Sequence, residues 1–224
     1  MDRSPDEILA DFLYEGLFLK QTPRSGYAFL GRGRESVAEH SFGVVFIGYS
    51  LFQLASAQRT LSLERVLALA LFHDLPEARV GDQNYLNKRY NKIHEDRAHR
   101  DATASLPFAA SLQGLYEEWK KRESYESRLA ADADQLDMIA ELFRQKADGA
   151  PAAAEWLRYA FKRLITAEGR ALFRALQERH PSAWWFEKKD QFWVNPPEPS
   201  DEAEGASPPE GASPPLSPRN PAES

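Results

Sequence analysis

The chain has 224 residues, which is enough for one domain with a substantial hydrophobic core, and its formal net charge is −6. The negative charge argues against nucleic-acid binding, and no apolar run approaches the ~20 residues that a membrane span requires. Because cysteine is absent, any metal must be bound by imidazole and carboxylate groups. The first residues lack a basic region followed by an apolar one, so we expect a soluble, cytoplasmic protein that has no membrane partner.

A first helix is predicted over about residues 5–20. Pro5 suits the first turn, acidic residues follow it, and apolar residues recur near helical spacing. Turn-forming residues 22–26 end this helix. The loop that follows combines glycines with arginines, among them Arg24, so that flexible backbone alternates with guanidinium groups.

A second helix is predicted over about residues 36–57. Ser36 is its expected N-cap, and Glu39 three residues later completes a capping box. His40 is followed at steps of four, three and four by apolar residues that share its face, namely Val44, Ile47 and Leu51. His40 therefore points toward the core. Taken alone, it is more often a satisfied core histidine than a metal ligand.

A third helix is predicted from about residue 63 to the adjacent pair His73 and Asp74. Pro76 should end it, since proline disfavours the helical region in the residue before it. The pair offers a divalent metal one nitrogen and one oxygen ligand from a single turn of backbone. Glu77 follows on the next turn, within reach of the same metal or its water.

The second half of the chain predicts further helices. A polar, loop-like stretch that contains Asp82 precedes helical character over about residues 95–121, which is broken near Pro107. A strong helix is predicted over about residues 125–147, and one long helix over about 152–177. The fold class is therefore all-α.

The helix over residues 125–147 carries Asp132, Asp134 and Asp137 close to its apolar stripe. A carboxylate near an apolar surface needs a partner, and a metal ion is one such partner. Helical periodicity alone does not decide which of the three would face a metal bound by His40, His73 and Asp74.

The C-terminal part changes in composition. An aromatic segment over about residues 184–194 is predicted to close the fold, and residues 1–195 form one domain. Residues 204–209 are repeated as residues 210–215, and nine of the fifteen prolines lie beyond residue 195. We predict that residues 196–224 form a disordered tail that is rich in proline, serine, glycine and acidic residues.

The ordered set of His, His-Asp and Asp resembles the HD-domain metal-dependent phosphohydrolases, in particular their bacterial 5'-deoxynucleotidase-like branch. The similarity covers about residues 8–143. It rests on four segments, which are Leu19-Lys-Gln-Thr-Pro-Arg-Ser-Gly-Tyr27, Glu35-Ser-Val-Ala-Glu-His-Ser41, Phe72-His-Asp-Leu-Pro-Glu-Ala78 with Gly81-Asp82, and Asp134-Gln-Leu-Asp-Met-Ile139.

The resemblance implies an HD-domain helical bundle that binds one divalent transition metal ion (Mn, Co, Fe, Ni or Zn). The implied ligands are His40, His73, Asp74 and Asp134. Asp74 and Glu77 would be catalytic, with Glu77 handling the attacking water. Arg24 would hold the phosphate and Asp82 would meet the sugar. From the residues alone, Arg24 is more often a surface arginine, and Asp82 is equally well a turn residue.

The sequence departs from the family next to Arg24. The deoxynucleotidase pattern places a tryptophan directly after the phosphate-binding arginine, where it helps to exclude ribose, but Ser25 follows Arg24 here. The segment after Asp82 also differs. The preference for 2'-deoxy sugars therefore does not follow from the resemblance.

The leading hypothesis is a metal-dependent phosphomonoesterase that hydrolyses nucleoside 5'-monophosphates. One alternative is an HD-type hydrolase of a nucleoside triphosphate or a signalling nucleotide. Another is a catalytically silent module with a structural metal, in which the tail recruits a partner. The expected partner is a small-molecule nucleotide, and the aromatic closing segment is compatible with a homodimer.

Overall fold

The computed structural model describes residues 3–31 and 33–186. The chain divides into two compact units, Met1–Glu178 and Arg179–Ser224. In the described part of the first unit all regular structure is helical, apart from a single bridge between Pro23 and Ser36. The all-α prediction is confirmed. The predicted tail over residues 196–224 and the last part of the aromatic segment lie outside the described residues, and the boundary at residue 195 stays a prediction.

Helices in the first unit have the following bounds: α1 Pro5–Phe18, α2 Tyr27–Leu30, α3 Val37–Ser56, α4 Leu63–Phe72, α5 Glu77–Val80, α6 Tyr85–Tyr90, α7 Glu95–Thr103, α8 Ala109–Lys121, α9 Tyr125–Ala147, α10 Pro151–Phe161 and α11 Ala167–Glu178. In the second unit a single turn, α12 Ala183–Phe186, is described. None of these helices combines the length and the apolar composition that crossing a bilayer would require.

The start of α3 is fixed by the capping box that the sequence predicts. The Ser36 hydroxyl accepts a hydrogen bond from the Glu39 amide, and the Glu39 carboxylate accepts one from the Ser36 amide at 2.6 Å. Two amides at the start of α3 are thereby satisfied, which sets where the helix begins and which face His40 occupies.

The core is built around α9, which packs against α3, α4, α10 and α11. Fully buried apolar side chains from the three central helices meet there, among them Leu51, Val66 and Leu136. Gly48 on α3 faces α4 and α9, because a Cβ at this position would make ordinary contacts with the side chains of Val66 and Ala133. This tight packing of α3, α4 and α9 positions the residues that the sequence singles out for metal binding.

The prediction of one long helix over about residues 152–177 is wrong. The chain forms α10 and α11 with a turn between them. The buried Asp132 carboxylate accepts hydrogen bonds from the backbone amides of Ile165 at 2.7 Å and Thr166 at 2.8 Å, and from the Thr166 hydroxyl at 2.6 Å. Asp132 therefore caps the start of α11 from another helix, and these bonds stabilise the break.

Candidate metal centre and its cavity

Helices α3, α4 and α9 bring the four predicted metal ligands together. His40 lies in the first turn of α3 and is fully buried, and His73 directly follows the last residue of α4. Asp74 comes next in the chain, and Asp134 lies in the middle of α9. His40 and Asp134 are far apart in the sequence, and the packing of α3 against α9 brings them together.

The donor atoms of His40, His73 and Asp74 lie close together, and Asp134 adjoins this group at His40. The Nε2 atom of His40 lies 3.2 Å from Oδ1 of Asp134 and 3.6 Å from Oδ2 of Asp74. The Nε2 atom of His73 lies 3.0 Å from the same Asp74 oxygen. One atom from each of His40, His73 and Asp74 lies within 4.8 Å of the other two, which is the spacing of ligands around a shared ion.

The hydrogen bonding of the two histidines is consistent with metal binding. Both Nε2 atoms are buried and make no hydrogen bond of acceptable geometry, although carboxylate oxygens lie close to them. The other ring nitrogen of His73 donates to the Ala70 carbonyl oxygen at 2.8 Å, which leaves the Nε2 lone pair directed at the cluster. Two imidazoles and two carboxylates suit a divalent transition metal.

His40 is oriented from behind by Asp137, one turn after Asp134 on α9. The Nδ1 atom of His40 lies 2.7 Å from Oδ2 of Asp137. Gly43 on α3 makes room for this contact, because a Cβ there would overlap the Asp137 carboxylate. A carboxylate on the far nitrogen of a metal-binding histidine fixes its tautomer and makes it a stronger ligand.

The three acidic residues of α9 therefore face three different partners. Asp132 caps α11, Asp134 approaches the Nε2 atom of His40, and Asp137 approaches its Nδ1 atom. The sequence alone did not separate these roles. The spacing of Asp137 from Asp134 was visible in it, but its use in orienting His40 was missed.

Electrostatics at the cluster keep the carboxylates of Asp74 and Asp134 charged. Burial raises the pKa of Asp134, but the adjacent His40 more than offsets this and holds the pKa well below its usual range. Burial also raises the pKa of Asp74, and His73 and His40 lower it on balance. Burial lowers the pKa of His40, but Asp134 and Asp137 together raise it to about 10. The cluster without metal therefore holds a proton on His40.

Glu77, the first residue of α5, is a buried carboxyl group with an unusual titration. Burial raises its pKa to about 9, and the negative charges of Asp74 and Asp82 contribute in the same direction. Its Oε2 atom is buried without a hydrogen-bond partner. Without a metal ion nearby, Glu77 is therefore protonated at neutral pH, and a metal ion bound at the adjacent cluster would lower its pKa and free the carboxylate to act as a base.

Arg24 lies close to the same cluster. Its Nη1 atom is 3.7 Å from Oδ2 of Asp74, and its Nε atom is 3.8 Å from Oε2 of Glu35. The loop is held in place because the Arg24 amide donates to the Glu35 carbonyl oxygen at 2.9 Å. Burial lowers the pKa of Arg24, but the carboxylates around it raise it on balance, so the side chain keeps its positive charge.

Asp82 has a use in the structure that the sequence did not indicate. Its Oδ2 atom accepts hydrogen bonds from the amide of Ser25 and from the Ser25 hydroxyl at 2.9 Å. The Ser25 hydroxyl in turn accepts one from the Asn84 amide at 2.9 Å. Asp82 therefore connects the loop of Arg24 to the segment before α6. Ser25 is the residue through which this connection is made.

A cavity of about 190 Å³ opens beside the cluster. Its wall includes Arg24, Asp74, Glu77, Asp82 and Asp134, which are five of the seven site residues predicted from the sequence. The lining also contains residues that sequence reasoning missed, namely Tyr85, Gln135, Met138, Trp156 and Arg163. Trp156 lies on α10, outside the four segments that carry the family resemblance. Helical spacing does not predict that it lines a cavity.

A family model described as the HD domain matches residues 18–171, which is more than half of the chain. This chain belongs to the HD domain family. Membership implies a divalent metal ion, and the histidine and aspartate cluster described above has suitable ligand atoms for one.

Two relatives of this HD domain protein have named activities. It is 28% identical over 136 residues to the 5'-deoxynucleotidase hdd1 of Schizosaccharomyces pombe, covering 56% of this chain and 66% of that one. It is 29% identical over 127 residues to the 5'-deoxynucleotidase HDDC2 of Homo sapiens, covering 54% and 60% respectively. The match thus spans less than two thirds of the length of either relative.

The HD domain fold is also found in a solved structure. A conserved hypothetical protein from Pyrococcus furiosus superposes with a TM-score of 0.66 and is 29% identical. The superposition covers 76% of this chain and 99% of that chain. The arrangement of helices around the cluster is therefore shared over nearly the whole of that protein.

Proposed function

We propose that this HD domain protein is a metal-dependent phosphomonoesterase that hydrolyses nucleoside 5'-monophosphates to nucleoside and phosphate. The observation that carries the proposal is the buried cluster of His40, His73, Asp74 and Asp134 next to a cavity whose wall holds Arg24. The names of the two 5'-deoxynucleotidases support the nucleotide as substrate class.

In this proposal the four clustered residues hold one divalent transition metal ion, and Mn, Co, Fe, Ni and Zn all accept such ligands. When bound, such an ion lowers the pKa of a coordinated water and offsets charge that develops on the phosphoryl group. The ligand set is closed from behind by Asp137 and Ala70, which fix the two imidazoles. The histidines are thereby oriented before the metal arrives.

Glu77 is the proposed proton acceptor for the attacking water. Its Oε2 atom is buried without a partner and would take the proton once the proposed metal ion lowers its pKa and leaves the carboxylate ionised. Arg24 is the proposed phosphate ligand, because its planar guanidinium group can donate two parallel hydrogen bonds to phosphate oxygens. Its burial between carboxylates restricts where a phosphate can bind.

Asp82 is proposed to meet the sugar. Its Oδ2 atom is engaged by Ser25, which leaves Oδ1 to accept a hydrogen bond from a sugar hydroxyl. Asp82 also lines the cavity, next to Glu77 and Arg24. The hydrogen bonds between Asp82 and Ser25 connect the segment of Asp82 to the loop of Arg24. They would therefore hold the sugar contact and the phosphate contact at a fixed distance from each other.

We further propose that the chain forms a homodimer through the outer faces of α1 and α3. No residue of α1 is fully buried, and Phe42, Phe46 and Tyr49 on α3 are exposed by 73%, 66% and 48%. A run of exposed aromatic side chains is typical of a surface that a partner covers. Size-exclusion chromatography with light scattering should give a dimer for the wild type and a monomer for Phe42→Glu.

The decisive experiment measures phosphate release from ribo- and deoxyribonucleoside 5'-monophosphates, with manganese, cobalt or zinc, for wild type and Glu77→Gln. We expect release by the wild type and a loss of at least 100-fold in kcat for the variant, since general acid–base catalysis contributes roughly that much. Metal content and thermal unfolding of Glu77→Gln serve as controls, and both should stay close to wild type. No release from any monophosphate with any of the metals would refute the proposal.

A further inference from the structure

A second cavity adjoins the one beside the cluster of His40, His73, Asp74 and Asp134. It has a volume of about 290 Å³. The two cavities share five lining residues, which are Asn84, Tyr85, Met138, Trp156 and Arg163. We call the cavity beside the cluster the inner cavity and its neighbour the outer cavity. A ligand anchored at Arg24 would therefore extend from the inner cavity along shared walls into the outer one.

The two cavities differ in chemistry. The inner cavity is lined by several charged side chains, as described above. The outer cavity has mostly aromatic and aliphatic walls, with Phe29, Leu86 and Tyr159 beside the shared residues, and its polar side chains apart from tyrosine hydroxyls are Asn84 and Arg163. A molecule that fits both carries a polar or charged group at one end and a flat apolar group at the other. The proposed metal ion and Arg24 make a phosphate the charged end.

Trp156 links the two environments. Its ring atoms Cη2 and Cζ3 lie 3.6 and 3.7 Å from where a Cβ on Gly26 would be, two residues after Arg24. The indole is half-buried on α10 and lines both cavities. One edge of the ring is thus packed against the loop of Arg24, which fixes its position relative to a bound phosphate.

Another part of the shared wall, formed by Tyr85 and Arg163, is also held in place. The guanidinium group of Arg163 lies 4.4 Å from the centre of the Tyr85 ring, and Arg163 donates to Oε1 of Gln135 at 3.2 Å. Gln135 in turn donates to Oδ2 of Asp134 at 2.9 Å. The wall of the outer cavity is therefore connected to the metal cluster by a chain of direct contacts.

We infer that the outer cavity is a nucleobase subsite in which Trp156 is the stacking surface. The inference deepens the proposed function and rests on it for the phosphate end. Every base has a π face, so stacking on an indole accepts purines and pyrimidines alike. With few polar groups in the outer cavity, the site requires a base but discriminates little between bases.

Equilibrium binding separates this inference from the hydrolytic activity. The full, metal-loaded chain is titrated with 2'-deoxyadenosine, with thymidine and with inorganic phosphate, and binding is followed by NMR. Trp156→Ala should weaken binding of both nucleosides by roughly 10- to 100-fold, as expected for the loss of one stacked ring. Its affinity for inorganic phosphate should match wild type, which also shows that the loop of Arg24 is intact.

Two further variants act as controls. Trp156→Phe keeps an aromatic ring and should retain nucleoside binding to within a few-fold. Tyr90→Ala removes an exposed aromatic side chain of α6 that lines neither cavity, so it should bind all three ligands like wild type.

Hydrolysis adds an independent readout. Trp156→Ala should lose activity on nucleoside 5'-monophosphates mainly through KM, and should hydrolyse 2-deoxyribose 5-phosphate, which has no base, as well as wild type does.

Three results would overturn the inference: nucleoside binding by Trp156→Ala equal to wild type, an equal loss for phosphate and nucleoside, or an equal loss for the substrate without a base. The last two would mean that Trp156 only supports the loop of Arg24. Failure of the wild type to hydrolyse any nucleotide would instead refute the proposed function. The binding data would still decide whether a base occupies the outer cavity.

Discussion

Asp137 can be tested as the residue that orients His40 for metal binding. In Asp137→Ala the Nδ1 atom of His40 loses the carboxylate that lies 2.7 Å away. Gly43→Ala perturbs the same contact from the other side, because the added methyl group would overlap the Asp137 carboxylate and force it away. Removing such an outer partner of a metal-binding histidine costs about 10- to 100-fold in affinity, or about 1.4–2.8 kcal/mol.

The assay is metal affinity, measured by competition with a chromophoric chelator for wild type, Asp137→Ala, Asp137→Asn and Gly43→Ala. Asp137→Asn can still accept a hydrogen bond from His40 but lacks the charge, so its affinity should fall between those of wild type and Asp137→Ala. Gly114→Ala is the matched control, because Gly114 also lies within a helix and a Cβ there meets nothing within 4 Å. Wild-type affinity in Asp137→Ala, or equal affinities for the two glycine variants, would show that the contact does not orient the ligand.

Three further predictions concern other parts of the site and the core. Metal binding at pH 7 should release at least one proton, because the metal-free His40 has its pKa raised to about 10 and must lose that proton to coordinate, and Glu77, with its pKa raised to about 9, also starts protonated. Affinity should therefore rise with pH by up to tenfold per unit for each proton released, and calorimetry in buffers of different ionisation enthalpy counts the protons; a count of zero contradicts this. Asp132→Ala should lower the free energy of unfolding by about 2–4 kcal/mol in urea titrations, because the part-buried amide of Ile165 and the buried amide of Thr166 lose their acceptor; a change under 1 kcal/mol would show that α11 does not depend on this cap. Arg24→Lys should raise KM for nucleotides about tenfold or more, since a lysine cannot donate two parallel hydrogen bonds to a phosphate, and an unchanged KM would place the phosphate elsewhere.

Local signals in the sequence predicted most of the helices. The capping box at Ser36 and the periodicity of residues 125–147 placed α3 and α9 to within a residue. The break between α10 and α11 was not predictable in this way. It depends on Asp132, which lies 33 and 34 residues before the amides that it binds.

In the candidate site too, the direction of a side chain on its own helix can be read from the sequence, but its contacts with other helices cannot. At about 100° per residue, Asp132 and Asp134 point roughly 160° apart around α9, and Asp134 and Asp137 roughly 60° apart. Helical periodicity alone does not decide which of the three faces a metal. It does not say which helix each one meets, and the structure places His40 between Asp134 and Asp137.

Trp156 was not found from sequence because its surroundings are decided by tertiary packing. The deoxynucleotidase pattern has an aromatic residue next to the phosphate-binding arginine, and the sequence shows only Ser25 there. In the structure an aromatic ring from α10 packs beside the same loop at Gly26. An aromatic group can therefore reach a site from a distant helix without any local trace in the motif.

The position of α9 has a consequence for synthesis of the protein. This helix supplies both the centre of the core and the last of the proposed metal ligands, yet it begins only at Tyr125. A nascent chain that ends before Tyr125 exposes the apolar faces of α3 and α4 and lacks the carboxylate of Asp134. Compaction and metal loading should therefore both wait until α9 has left the ribosome, and until then the exposed apolar faces of the growing chain are prone to aggregation.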